Sequence, residues 1–224
     1  MNEMNRLETT GFGSPLIDHL ARVEEARLSE FGLMKGGMKL VDAAEVERLH
    51  GLVGKTETAT GGAAANTILT LARLGSPAAF AGKLGPDSWG AFFADSFRRQ
   101  GVRDRLVRAP SGKATGRVLS CIIPGGERSF ATNLGVAVEF SPADLDDSMF
   151  ADARLVFIEG YLVMNQPLIE GIFQKAAHHG VDVALDMASW NVVQENRERF
   201  LAYLKEYVDI VFANEEEAKA LCGE

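Results

Sequence analysis

The stretch Thr60-Gly61-Gly62-Ala63-Ala64-Ala65-Asn66-Thr67 is the part of the sequence best suited to hold a small ligand. Small side chains let the backbone come close to a ligand, and free N–H groups at a helix start favour polar or anionic groups. Asn66 falls on the first turn of the helix that this stretch opens. Its amide both donates and accepts, as recognition of a vicinal diol requires. The same run of Gly and Ala also serves close helix–sheet packing, and composition alone leaves both readings open. It is not a phosphate loop of the Gly-x-x-x-x-Gly-Lys type, because no Gly-Lys-Ser/Thr follows. Glu159 closes the apolar run Leu155–Ile158, and open α/β sheets bind ligands at the carboxyl ends of their strands. A strand-end surface carboxylate is the alternative. Asn214 and Glu217 follow the last apolar run, where Asn caps a helix and acids complement its dipole.

The elements that position these residues are legible from glycines and apolar runs. Gly75, Gly101 and Gly180 follow the helical runs Ala63–Leu74, Ser88–Gln100 and Leu168–His179. Each sits where a helix C-terminus accepts a left-handed residue. Short β-rich runs lie between: Ala78–Ala81, Leu155–Ile158, Val181–Leu185 and Ile210–Ala213. The last two read as strands buried on both faces. Alternation of helix and strand from residue 63 onward implies a mainly parallel sheet between helices. Trp89, Phe92, Phe93 and Phe97 fall at helical spacing and read as core.

Two regions break the alternation. The first, Leu7–Lys55, has strand-like Leu7–Phe12 and Leu16–Val23 and two short helices. Asp42-Ala-Ala-Glu45 reads there as a capping box. In the second, Arg117–Ile123 and Arg128–Thr132 flank Pro124-Gly125-Gly126-Glu127, the sequence of a β-hairpin turn. Together they predict a small β-rich unit at one end of the α/β sheet. Arg128, in the hairpin, is placed to reach over a bound ligand or to stand solvated.

Composition narrows the classes. The 224 residues suit one large domain, and the net charge of −8 argues against a broad nucleic-acid footprint. No apolar run approaches the ~18–20 residues that span a bilayer. The polar segment Met1–Thr10 does not read as a secretory signal. Cys121 and Cys222 have no metal-type spacing and read as thiols in a reducing cytoplasm. A Rossmann-type oxidoreductase is disfavoured, since no Gly-x-Gly-x-x-Gly follows the first strand with an acid ~20 positions later.

Taken in order, the motifs resemble the ribokinase-like (PfkB) kinases of sugars and nucleosides. Gly61 to Thr67, Leu74-Gly75 and Phe80-Ala81-Gly82-Lys83-Leu84-Gly85-Pro86-Asp87-Ser88-Trp89-Gly90 are similar to the family's first signature. Gly11-Phe12-Gly13-Ser14-Pro15-Leu16-Ile17-Asp18 is similar to its opening strand with a substrate-binding aspartate. Glu127-Arg128-Ser129-Phe130 resembles the lid hairpin. Phe157-Ile158-Glu159-Gly160-Tyr161 and Phe212-Ala213-Asn214-Glu215-Glu216-Glu217 match later landmarks, the second being the Asn-x-x-Glu element. Ser14-Pro15-Leu16-Ile17-Asp18 and the Lys35-Gly36-Gly37 turn point to the adenosine-kinase-like branch.

The resemblance implies a three-layer α/β/α domain over 1–224, with a small β-rich lid from approximately 7–55 and 115–133. It implies transfer of the ATP γ-phosphoryl group to a hydroxymethyl group of a sugar or nucleoside, adenosine first. Asp18, Gly61, Gly62, Asn66, Arg128 and Glu159 would form the acceptor site. Gly61-Gly62 would also hinge the lid. Asn214 and Glu217 would lie at the nucleotide, with Glu217 helping to hold Mg²⁺ through water. The role of Asp186 stays open. Where adenosine kinases often carry paired aromatics this chain has Tyr161-Leu162, one base-stacking surface fewer. The expected partners are a small-molecule acceptor and a second copy through the lid, in the cytoplasm.

One departure stands out. The family's Asp-Thr-x-Gly-Ala-Gly-Asp stretch, whose last Asp is the general base, does not occur, and only ten residues follow Asn214. The sequence therefore reads as C-terminally truncated, with no catalytic base of its own and the ATP pocket largely missing. That predicts an exposed sheet edge at Ile210–Ala213, prone to association. A sugar- or nucleoside-binding fragment without catalysis is the competing class.

Overall fold

The computed structural model describes residues 9–110 and 112–223. In chain order, β1 (Thr9–Phe12) and β2 (Leu16–Arg22) precede α1 (Arg27–Glu30), β3 (Met38–Leu40), α2 (Ala43–Val53) and β4 (Glu57–Gly61). Then come α3 (Ala63–Arg73), β5 (Ala78–Ala81), β6 (Lys83–Leu84), α4 (Ser88–Arg99), β7 (Arg103–Asp104) and β8 (Val107–Arg108). The hairpin β9 (Thr115–Ile122) and β10 (Arg128–Gly135) follows, and then β11 (Leu155–Glu159), α5 (Gln166–His179) and β12 (Asp182–Asp186). Helices α6 (Trp190–Glu195) and α7 (Arg197–Glu206), strand β13 (Ile210–Phe212) and helix α8 (Glu215–Cys222) complete the order.

Six strands form a parallel sheet in the order β13-β12-β11-β1-β5-β7. Helix α3 buries Ala64, Ala65, Ile68 and Leu69, one apolar stripe, and α4 buries Phe93, Ala94 and Phe97. These pack with Phe80 and Phe157 on one face of the sheet. On the other face Phe12, Ile158 and Leu185 meet Ile172 and Phe173 of α5 and Phe200 of α7. Burying one such phenylalanine contributes roughly 1.5–3 kcal/mol, whereas an exposed ion pair contributes about 0–1 kcal/mol. Apolar packing therefore holds the three layers, despite the many ion pairs on the surface.

A second, five-stranded sheet has the order β3-β10-β9-β2-β4. It takes residues from 16–61 and 115–135. The segment Thr9–Phe12, grouped by sequence with the small unit, lies instead at the heart of the large sheet, between β11 and β5. Leu7 and Glu8, the start of that expected strand, fall outside the described residues. In the small sheet, period-two alternation sends Ile17, His19 and Ala21 to one face and Leu16 and Asp18 to the other. The first face packs with α1 and α2 through Leu28, Phe31, Leu49, Leu119 and Cys121.

Three local expectations change. Asp42 accepts a hydrogen bond from the Glu45 N–H at 2.8 Å, but the Glu45 carboxylate turns to Arg48, so the capping box is half formed. Trp89 and Phe92 are only half-buried, at the margin of the core formed by Phe93 and Phe97. Strand β13 is not buried on both faces. Ile210, Val211 and Phe212 are 45%, 47% and 51% exposed, because β13 pairs with β12 alone and forms the sheet edge.

His19 is a buried polar residue with a consequence for stability. Its Nε2 has no hydrogen-bond partner, and its ring lies 4.7 Å from that of His50 and 5.2 Å from that of Trp89. Burial, then the nearby His50 and Arg117, lower its pKa to about 4. The unfolded chain takes up this proton near the ordinary value of 6.5, and the folded chain only near 4. Stability is therefore present above pH 6.5 and is lost as the pH falls toward 4. We expect His19 to account for roughly 2 kcal/mol of loss between pH 6.5 and about pH 5. Urea unfolding of the wild type and of His19→Phe at the two pH values checks this, since the variant should lack that part of the difference.

Candidate functional site

The small sheet roofs a cavity of about 500 Å³ over the carboxyl end of the large sheet. That volume lies within the range of small-molecule sites. The hairpin register makes the roof. Arg128, Phe130, Thr132 and Leu134, alternate residues of β10, all line the cavity, with Val118 of β9 and Leu16 and Asp18 of β2. A slip of one residue would turn all of them away. Met38 and Leu40, again two apart, extend the roof from β3. Ser14, Gly62, Ala63, Asn66, Glu159 and Tyr161 line it from the large-sheet side. Ala137, Val138, Leu162, Met164 and Pro167 supply most of the remaining wall, which is chiefly apolar.

The Asp18 carboxyl is half-buried, and burial raises its pKa to about 6 while Arg128 draws it down. Among the described residues it makes no hydrogen bond, so its acceptor capacity faces the cavity. Asn66 is exposed at the cavity wall, one turn into α3, and its side chain likewise has no protein partner among the described residues. Gly62 has φ +108°, the left-handed region that favours glycine, and a Cβ there would overlap the Ser14 carbonyl oxygen. Gly61 does not line the cavity. It lies behind Asp18, where a Cβ would overlap the aspartate carboxylate.

Glu159 is 2% exposed at the end of β11. Its Oε1 accepts from the Ser14 N–H at 2.8 Å and its Oε2 from the Ala64 N–H at 3.2 Å. Burial raises its pKa to about 7, against the pull of those donors.

Asn214 and Glu217 stand apart from these residues and do not line the cavity. They form a full capping box at the start of α8. Asn214 Oδ1 accepts from the Glu217 N–H at 2.9 Å, and Glu217 Oε2 accepts from the Asn214 N–H at 2.9 Å. Asn214 Nδ2 also donates to Glu217 Oε1. Asp186, at the end of β12, has its pKa raised to about 6 by burial and then by the charge of Glu217. No three or more His, Cys, Asp or Glu side chains among the described residues are arranged to hold a metal ion directly.

The structure thus brings Asp18, Gly62, Asn66, Arg128 and Glu159 to one cavity and leaves Gly61, Asn214 and Glu217 outside it. Sequence reasoning passed over Ser14, the apolar roof residues Met38 and Leu40, and the wall from Ala137 to Pro167. The period-two spacing of Met38 and Leu40 is a signal, though a three-residue strand gives it little weight. The 3₁₀ turns that carry Val138 and Met164 have no comparable pattern.

Comparison with known proteins places this geometry in a family. A model of the pfkB family carbohydrate kinases matches residues 31–224. The chain is 33% identical to the crystal structure of adenosine kinase from Sinorhizobium meliloti, with a TM-score of 0.93, over 98% of this chain and 68% of that one. It is 31% identical, with a TM-score of 0.92, to a probable sugar kinase from Rhizobium etli, over 97% of this chain and 67% of that one. Adenosine kinase from Saccharomyces cerevisiae is 26% identical over 221 residues, 94% of this chain. The chain spans 64% of the length of that yeast relative.

The contact between Gly61 and Asp18 predicts the outcome of a small substitution. Gly61→Ala should destabilise the protein by about 1–3 kcal/mol, as overpacking of a close contact does. Urea unfolding at constant pH measures the loss.

Proposed function

Because the chain belongs to the pfkB family of carbohydrate kinases, we propose that it forms the acceptor-binding part of an ATP-dependent kinase acting on a hydroxymethyl group. The carrying observation is that Asp18 and Asn66 present unspent hydrogen-bonding groups to one largely apolar cavity. Asp18 accepts from the acceptor's ring hydroxyls, and a bond to an ionised acceptor is roughly twice as strong as a neutral one. Asn66 and the Gly62 backbone hold the same diol. Arg128 balances the Asp18 charge and covers the ligand from the roof.

The apolar walls support one order of acceptors over the others. A free sugar carries hydroxyls around its ring and would leave Val118, Phe130, Leu134 and Leu162 facing polar groups. A nucleoside offers a diol to Asp18 and a flat base to those walls. This supports an adenosine-like nucleoside ahead of ribose or fructose.

Phosphoryl transfer depends on positioning and on neutralising charge. The residues here orient the acceptor and keep water from it. Mg²⁺, usually held by one or two carboxylates together with waters and phosphates, would neutralise the phosphate charge. Glu217, at the start of α8, would help to hold it through water. A location in the cytoplasm and a homodimer through the small sheet complete the proposal. No helix among the described residues is long and apolar enough to cross a membrane.

A second reading, acceptor binding without transfer, draws support from one observation: among the described residues the carboxylates lining the cavity are Asp18 and Glu159, and Glu159 is engaged by two backbone amides.

Titration calorimetry with adenosine, ribose and fructose tests the acceptor, and heat from fructose with none from adenosine would reverse the order. An assay of ADP release, with adenosine as acceptor, separates transfer from binding. The Asp18 pKa of about 6 sets a pH dependence. The carboxylate is ionised above that value, so adenosine affinity should fall as the pH drops through it. Asp18→Asn should bind about 1.5–3 kcal/mol more weakly at neutral pH and lose this dependence. Equal affinity in variant and wild type would rule out a direct contact.

A further inference from the structure

We propose that Glu159 is a positioning residue that fixes the distance between the strand bearing Asp18 and the helix bearing Asn66. Three elements meet at its carboxylate. One oxygen takes the Ser14 N–H of the turn between β1 and β2, and Asp18 lies four residues beyond that donor. The other takes the Ala64 N–H in the first turn of α3, two residues before Asn66. The carboxylate itself stands on β11, paired in register with β1 and β12 in the large sheet. The two halves of the acceptor site thus hang from one side chain anchored in the rigid layer.

Local packing shows how closely this position is prescribed. A Cβ at Gly13 would overlap Glu159 Oε2, so the turn approaches the carboxylate as nearly as a backbone can. Both oxygens are engaged by backbone donors. A carboxylate buried to this degree is costly unless such donors satisfy it. Its use is to hold the two segments that touch the ligand.

Glu159 also titrates where it matters. Its pKa is raised to about 7. The charged or polar groups that bear on it are Asp186 on β12, Tyr161 in the turn after β11, and the Ser14 hydroxyl. From α3 it meets the Ala64 N–H. Ionised, it accepts from both amides. Protonated, one of its oxygens becomes a donor, and one of the two ties weakens. Spacing in the acceptor site therefore loosens below neutral pH, through a group distinct from Asp18.

This reading rests on the proposed acceptor site only for its ligand arm, and the test keeps the two apart. Amide signals of the isotopically labelled chain are followed by NMR from about pH 5 to about pH 9, spanning the shifted value. The Ser14 and Ala64 amide protons should move together with one midpoint near 7, and Glu159→Gln should abolish that movement. In the variant, the Gly62 backbone and Asn66 side-chain signals should shift as well. Adenosine should bind roughly tenfold to a hundredfold more weakly, the scale of a small misplacement, while keeping the pH dependence due to Asp18.

Ser14 and Ala64 titrating separately, or not at all, would overturn the proposal from the wild type alone, even if the variant failed to fold. Unmoved Gly62 and Asn66 signals in a folded variant would overturn it too, as would unchanged adenosine affinity there. If wild type binds no nucleoside, the acceptor reading falls. The four NMR signals then decide the role of Glu159 by themselves.

Discussion

Between Phe12, at the centre of the large sheet, and Leu16, in the interior of the small one, the chain has only three residues. A strand of one sheet thus passes almost directly into a strand of the other, and the cavity is the angle between them. A trans peptide advances at most ~3.3–3.6 Å per residue, so the two sheets cannot separate at this point. Everything that lines the cavity is placed relative to that short passage. Helix α3 covers it from one side, the hairpin roofs it, and the Glu159 carboxylate reaches its Ser14 amide from the adjacent strand.

The charge pattern of the site follows from the same closeness. Asp18, Glu159 and Asp186 all stand near the carboxyl ends of strands or beneath the roof, and burial raises the pKa of each. Arg128 is the one cation lining the cavity among the described residues. Such a surface favours an uncharged ligand over an anionic one, because an anion would meet acids at several points and a cation at one. The acids at the ends of β12 and β13 would repel phosphate unless a cation stood between.

Much of this was legible before any coordinates. Gly75, Gly101 and Gly180 marked helix ends because they stop helices by local backbone chemistry, and all three have positive φ. The hairpin at Pro124–Glu127 was legible because its turn residues act within four positions. Asp18, Gly62, Asn66 and Arg128 were found through motif order, and all four face one cavity. What stayed hidden depends on contacts distant in sequence. The membership of Thr9–Phe12 in the large sheet rests on pairing with Leu155–Ile158 and Ala78–Ala81. The apolar run of β13 pointed to burial on both faces, which the strand does not have, while the exposed edge expected at Ile210–Ala213 is present. Glu159 lines the cavity as its strand-end position suggested, but that position does not reveal the two amides brought to it from 145 and 95 residues away.

Gly61, paired with Leu16, lies diagonally from Asp18 across the pair β2–β4, and the carboxylate occupies the space that a side chain at position 61 would need. The two positions are therefore coupled. A side chain at 61 crowds the carboxylate at 18 and displaces the charge presented to the cavity, whereas loss of that carboxylate opens room at 61. A change of ligand meets less resistance at Leu40, Val138 or Met164, which line the cavity and are about half exposed.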